Sequence, residues 1–243
     1  MKKYILFTLF AAMLYSCTEN EHTLTAEQSS LHTSINSGYR IGDAYPINSD
    51  NPFDNAGSLH NELVERYYSG KNLPADLDSI ALRVKIIADS IPELVAIKSA
   101  SPSNFNISIV EYMLAYPTSC ASTVISATTM SAEGKLSLSG FIDAIFLLPK
   151  KEDDYSSFYA FVCAYENDVF FDNQLSTEDR RIIQVTTSIV RHSVYRKKKK
   201  PKKNTDLDWT IWIANSVGAI HGGGTGIHDA VLTAAISGIA QNP

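Results

Sequence analysis

The clearest pattern of apolar positions along the chain lies between residues 77 and 91. Apolar side chains recur there at steps of three and four, as on the buried face of an amphipathic helix. Pro92 marks the predicted end of this helix, because proline cannot continue one. The positions that carry the pattern are Leu77, Ile80, Ala81, Val84, Ile87, Ala88 and Ile91.

Helical patterning continues on both sides of this segment, and no convincing run of alternating strand residues appears. An earlier helix is predicted from about Asp54 to Ser69, with Gly70 as a natural residue just past its end. The chain is therefore predicted to fold as an all-α, irregular multi-helix bundle. Further helices are predicted in 106–116, from Thr118 or Ser119, in 137–148 before Pro149, in 153–171, and in 175–200 with Ser176 as its cap.

The segment "NSVGAIHGGGTGIHDAVLTAAISGIA" (215–240) carries six glycines in an otherwise apolar stretch. Every fourth position from 214 to 238 is glycine or alanine, and the glycines of this ridge are Gly218, Gly222, Gly226 and Gly238. Residues four apart share one helix face, so a ridge without side chains allows another helix to approach closely. Each interior glycine costs about 1 kcal/mol of helix propensity relative to alanine. A continuous helix here therefore requires tight packing.

Three interpretations of this segment remain open. The first is two short helices, about 206–220 and 227–240, joined by a glycine turn. The second is one continuous buried helix, and the third is a hairpin or helix that inserts into a membrane. Trp209, Trp212 and the basic run before them favour insertion, whereas His228 and Asp229 weaken it because ionisable groups are costly in a bilayer.

The charge is unevenly distributed. The run "RKKKKPKK" (196–203) holds seven basic residues of a chain whose formal net charge is −5. Apart from this run and the two N-terminal lysines, twelve basic residues stand against twenty-six acidic ones. A mostly acidic body argues against a nucleic-acid-binding face.

The N-terminal segment "MKKYILFTLFAAMLYSC" joins two lysines to a short apolar run, as export signals do. Its end, "LYSC", resembles a bacterial lipoprotein signal, with residues 1–16 removed and Cys17 carrying the lipid, palmitate included. The alternative is an ordinary signal peptide with an incidental cysteine. Lipid on Cys17 implies a membrane anchor, and Thr18 in place of aspartate favours the outer membrane.

Residues 17–50 are rich in Ser, Thr, Asn and Glu and are predicted to form a flexible tether. A single mostly helical domain is predicted for 51–243. Two further cysteines, Cys120 and Cys163, either form a disulfide or stay as isolated thiols, since neither has a metal-type spacing.

Candidate chemistry is sparse. No zinc, P-loop or dinucleotide-binding motif occurs, so neither a metal nor a cofactor is predicted. "HGGG" (221–224) resembles an esterase oxyanion loop, but no G-x-S-x-G motif follows it. The polar residues that remain are Asp54 and His60, interpreted first as a helix-capping network and second as a catalytic or ligand site, and His221 and His228, seven positions apart, where a metal pair is the less favoured interpretation.

Two motifs at the ends of the body are similar to one family. "NPFDNAGSLHN" (51–61) and "DWTIWIANSVGAIHGGGTG" (208–226) resemble the opening and the Gly-rich tail of uncharacterised secreted proteins and lipoproteins of Bacteroidota-type bacteria. The resemblance implies an envelope location and one unit from about 51 to 240. It implies no activity.

These observations predict an exported lipoprotein with a non-enzymatic role, binding or scaffolding at the cell envelope with an envelope protein as partner. Two alternatives stay open: a membrane-active or bacteriocin-like protein that inserts its Gly-rich segment, and a hydrolase that uses Asp54 and His60.

Overall fold

A computed structural model describes residues 45–100, 103, 105–117, 119–147, 155–198 and 207–243; the side chains at 146–147, 197–198 and 207–209 are not described. The predicted signal, the predicted lipidation site Cys17, most of the predicted tether and most of the basic run lie outside the described residues. Within them the chain forms ten α-helices and no strand, so the predicted all-α class is confirmed. The helices are α1 (Asn55–Ser69), α2 (Leu77–Ala88), α3 (Pro92–Ala96), α4 (Ile107–Ala115), α5 (Cys120–Ala127), α6 (Ala132–Leu147), α7 (Tyr155–Phe171), α8 (Thr177–Lys198), α9 (Leu207–Gly223) and α10 (Ile227–Ala240).

Most helix ends agree with the local signals in the sequence, but the end predicted at Pro92 does not. Gly70 follows α1, as predicted, and its amide closes the last turn by donating to the Tyr67 carbonyl. Pro92 does not stop the preceding helix, because α2 has already ended at Ala88. Instead Pro92 is the first residue of α3, where its fixed φ suits a helix start.

Asp179 stabilises the starts of α6 and α8 together. Its amide donates to Ser176 Oγ and its carboxylate accepts from the Ser176 backbone amide, each at 3.0 Å, which makes the predicted cap a capping box. The same carboxylate accepts from the amide and the hydroxyl of Ser131. Ser131 Oγ in turn accepts from the amide of Gly134. This second cap explains why α6 begins at Ala132, several residues before the predicted start.

The α9–α10 hairpin contributes a helix to each of two apolar cores. Ala230, Val231 and Ile236 of α10 join the core formed with α1 and α2. Ile213 and Val217 of α9 join the core formed with α5, α6 and α7. The hairpin therefore lies in the interior of the described bundle, and α8 lines both cores.

The glycine segment forms two helices with a turn between them, so the first of the three interpretations is confirmed. The ridge glycines still act as a close-approach surface, between the two arms of the hairpin. A Cβ on Gly218 would lie 2.8 Å from Ala234 Cα, and one on Gly222 would overlap the Asp229 carbonyl. Gly226 is different, because it precedes α10 in the turn and a Cβ there meets nothing closer than 3.8 Å.

The membrane-insertion interpretation requires a helix that is long and apolar enough to cross a bilayer. Among the described residues, no helix combines the length and the apolar character needed to cross a membrane. Trp212 is half-buried and packs beside Phe158, with ring centroids 6.5 Å apart. The side chain of Trp209 lies outside the described part.

Candidate functional site

The motif at 51–61 packs against one face of α8. Its polar and small residues occur at steps of three and four, so they share the face of the chain that enters and begins α1. Asn61 Nδ2 donates to the His192 carbonyl at 2.9 Å, and the Gly57 amide donates to Ser188 Oγ at 3.0 Å. A Cβ at Gly57 would overlap the ring of His192. Glycine is therefore required there for α1 to approach α8.

Glu166 of α7 is the centre of a buried polar network. Its side chain is 1% exposed, and both carboxylate oxygens are fully engaged. Oε2 accepts from Asn48 Nδ2 at 2.6 Å, while Oε1 accepts from Asn51 Nδ2 and Thr187 Oγ1, each at 2.8 Å. Arg191 Nη2 adds a fourth contact at 3.1 Å. The carboxylate thus joins the segment before α1 to α7 and α8.

Arg191 links this network to Asp54. The guanidinium is 0% exposed, and its Nη2 donates to Asp54 Oδ1 at 2.6 Å as well as to Glu166. His192 Nε2 lies 3.3 Å from the same Asp54 oxygen. Arg191 Nε and Nη1 have no hydrogen-bond partner among the described residues, and Cζ lies 5.9 Å from the ring centroid of Tyr159. One guanidinium is therefore shared between two carboxylates in the interior.

The pKa values of this network follow from burial and pairing. Partial burial alone would raise the pKa of Asp54, but the hydrogen bonds from His192 and Arg191 outweigh it, so the pKa lies below its usual value. Burial acts to lower the pKa of Arg191, yet the two carboxylates hold it above its usual value. The Asp54–Arg191 ion pair therefore stays charged across the neutral range.

The predicted capping role of Asp54 is wrong. Asp54 occupies the residue before α1, but its side chain accepts no hydrogen bond from the first turn of that helix. The carboxylate instead turns to Arg191 and His192 on α8. Tertiary pairing with a buried guanidinium is a stronger interaction for a carboxylate than one exposed amide, which accounts for the difference.

His60, the second candidate in the motif, lies on the buried face of α1. It is 2% exposed, and Nδ1 lies 3.3 Å from Asn61 Oδ1. Burial lowers the pKa of His60 to about 4, and the charges of Arg196 and His192 act in the same direction. Hydrogen bonds with Asn61 and Asn215 oppose the shift but do not cancel it. A neutral, buried imidazole at neutral pH is a structural part of the interior.

We expect this histidine to make the fold acid-sensitive. Its folded pKa of about 4 lies below the usual 6.5, so on acidification the unfolded chain takes up the proton first. The contribution of His60 to the free energy of unfolding is therefore fully present above pH 6.5. It is lost as the pH falls to about 4, and the total loss is roughly 3 kcal/mol. Urea unfolding of His60→Asn, which keeps a donor for Asn61, should show a flatter pH profile in this window. Parallel profiles for the variant and the wild type would contradict the assignment.

His221 and His228 lie on either side of the hairpin turn. His221 is in the last turn of α9, and His228 is in the first turn of α10, where its Nδ1 lies 3.0 Å from Asp229 Oδ1. Among the described residues, no group of three His, Cys, Asp or Glu side chains is placed to hold a metal ion. Asp229 is buried at the start of α10, where the helix dipole favours a negative charge.

The two cysteines of the body are free thiols, Cys120 buried and Cys163 half-buried. Of the two alternatives that the sequence leaves open, the structure contains the isolated thiols and not the disulfide. Burial raises the pKa of Cys120 to about 11 and raises that of Cys163 as well. Neither thiol is activated as a nucleophile.

An open groove lies along α2, beside the core residue Ala81. It has a volume of about 600 Å³, and α2 and the start of α4 form its walls. Leu82 and Ile86, one turn apart on α2, are 62% and 61% exposed. Lys85 Nζ lies 4.3 Å from the ring centroid of Phe105. The lining residues are Asp78, Ala81, Leu82, Lys85, Phe105, Asn106 and Ile107.

Sequence analysis missed the partners of the motif on α7 and α8. A signal for them exists along α8, where polar residues recur at helical steps and form a stripe that is itself buried. The residues of this stripe are Gln184, Thr187, Ser188 and Arg191. Glu166 has no such signal, since it is the first of three consecutive polar residues in α7 (166–168) and nothing local marks it as a buried one. The groove on α2 was not predicted either, because apolar periodicity marks the buried face of a helix and not its exposed face.

Comparison with known protein families, with curated proteins and with solved structures finds no match to this chain. The likeness to secreted Bacteroidota-type lipoproteins stays a prediction that rests on the two motifs.

Proposed function

We propose that this protein is a non-enzymatic binding or scaffolding protein of the bacterial cell envelope, held at the membrane by lipid on Cys17. The α2 groove is its binding surface, and the tether gives the folded body reach from the membrane. The observation that carries the proposal is the exposed apolar pair Leu82 and Ile86 beside an open groove. Exposed apolar surface next to a concave feature is typical of protein interaction sites.

The polar network supports the same view of the molecule. Glu166 and Arg191 are buried and bound to each other, so they hold three segments of the bundle together and do not face a substrate. The hydrolase alternative needs Asp54 and His60 at an accessible cavity. Asp54 instead contacts Arg191, and His60 is buried on the inner face of α1.

The membrane-active alternative is weakened by the packing of the hairpin. The glycine ridge is accounted for by the close contact of α9 with α10. Insertion would have to break this contact and expose both cores.

Fractionation and affinity capture test the proposal with the full chain expressed in a bacterium that processes lipoproteins. We expect the chain to incorporate labelled palmitate and to stay with the envelope membranes, and Cys17→Ser to lose both properties. Capture after cross-linking should recover a protein with the wild type and not with Leu82→Glu. Leu136→Glu is the matched control, since Leu136 is 76% exposed on α6, away from the groove. Equal recovery with both variants would contradict a role for the groove.

A further inference from the structure

The exposed face of α2 carries two opposite charges at its two ends. Asp78 lies in the first turn, and Lys85 lies seven residues later, two turns and about 10.5 Å along the helix. Leu82 lies between them on the same face. Neither charge has an ion-pair partner among the described residues. The pattern is a short apolar surface with a negative end and a positive end.

We propose that the occupant of this groove is a second copy of the same chain, which binds through its own α2 in an antiparallel, two-fold arrangement. The inference rests on the proposed function of the groove and names its partner. With the two α2 helices centred between residues 81 and 82, Asp78 of each copy lies opposite Lys85 of the other. In this register Leu82 of each copy lies opposite Ala81 of the other, next to the other Leu82, and the two leucines cover the groove.

Charge complementarity favours this occupant over an unrelated helix. A two-fold interface uses the same patch twice, so a patch with one acid and one base, equally far from its centre, satisfies both charges in both copies. A parallel pairing would place acid beside acid and base beside base, which is unfavourable. The apolar contact supplies the affinity, whereas the exposed ion pairs favour the antiparallel over the parallel arrangement of the two α2 helices.

The contact is small, and a weak dimer is expected from one helix face. Anchoring both copies to one membrane would confine them and raise their effective concentration. The experiment is therefore done on the full chain in intact cells. A photocrosslinking amino acid, benzoylphenylalanine, replaces Leu82, and the same substitution at Leu136 on α6 is the control. We expect a covalent product of twice the mass of the chain from position 82 and not from position 136.

Charge reversal then tests the arrangement. Asp78→Lys or Lys85→Asp alone places like charges at both ends of the interface, so the dimeric product should fall roughly tenfold. The double variant D78K/K85D restores two opposite pairs and should recover the product. Co-expression of the D78K chain with the K85D chain should recover it as well, in the mixed dimer only.

The outcomes separate this inference from the proposed function. A product at position 82 whose mass is that of another protein would overturn the second copy as occupant and leave the groove as a binding surface. If position 82 gives no more cross-linked product than position 136, both the second copy as occupant and the groove as a binding surface are overturned. Equal dimer yield from the single and double charge variants would overturn the antiparallel pairing.

Discussion

Replacing Arg191 with methionine is expected to lower the free energy of unfolding by about 3–5 kcal/mol. Arg191 is completely buried and binds both Asp54 and Glu166. Methionine fills much of the space but leaves the Glu166 carboxylate buried without a compensating positive charge. Since a domain of this size is stable by only about 5–15 kcal/mol, the loss should be plain in urea unfolding followed by circular dichroism.

Two variants show whether the loss comes from the unpaired charge. Adding Glu166→Gln to Arg191→Met removes the uncompensated Glu166 carboxylate, so the double variant should be more stable than Arg191→Met alone. A double-mutant cycle of the two substitutions measures their coupling energy. Arg66→Met removes an exposed ion pair with Glu62 and should change stability by no more than about 0.5 kcal/mol. An Arg191→Met variant as stable as Arg66→Met would mean that the buried network contributes little.

Replacing Gly222 should destabilise the protein although the change favours helix formation. A Cβ at this position overlaps the Asp229 carbonyl and approaches the Ala230 nitrogen at 2.7 Å, so the two arms of the hairpin must separate. We expect Gly222→Ala to lower the free energy of unfolding by about 2 kcal/mol and Gly222→Leu by about 3 kcal/mol or more. Thermal and urea unfolding of the two variants measure the effect.

Gly140 provides the matched control for this experiment. It lies within α6, and a Cβ there meets nothing within 4 Å. Gly140→Ala should therefore stabilise the protein by up to about 1 kcal/mol, through the lower entropy of its unfolded chain. If both alanine variants were stabilising, the close approach of α9 to α10 would be refuted.

The helices could be predicted in most cases because their signals are local. Apolar spacing along α2, the Ser176 cap and Gly70 each act within a few residues, and the structure has the corresponding elements. Pro92 was ambiguous for a local reason, since proline is equally suited to follow one helix and to begin the next. The start of α6 could not be placed, because it depends on Asp179, 48 positions further along the chain from Ser131.

The polar site could be predicted only in part. The sequence singled out Asp54 and His60 of the motif at 51–61, but their role was assigned first to helix capping because the partners were not visible. Those partners are 115 to 138 positions away, from Asn51 with Glu166 to Asp54 with His192. No local pattern specifies which distant polar stripe a given motif will meet.

By itself, the sequence determined an all-α body, the approximate bounds of most of its helices and a glycine ridge that would allow another helix to approach closely. These follow from side-chain periodicity and from the absence of Cβ atoms, which are properties of short segments. Only the tertiary structure decided that the ridge packs within one hairpin, that Asp54 binds Arg191, and that Leu82 stays exposed beside a groove. Each of these depends on which surfaces become buried against each other, and burial is settled by the packing of the whole bundle.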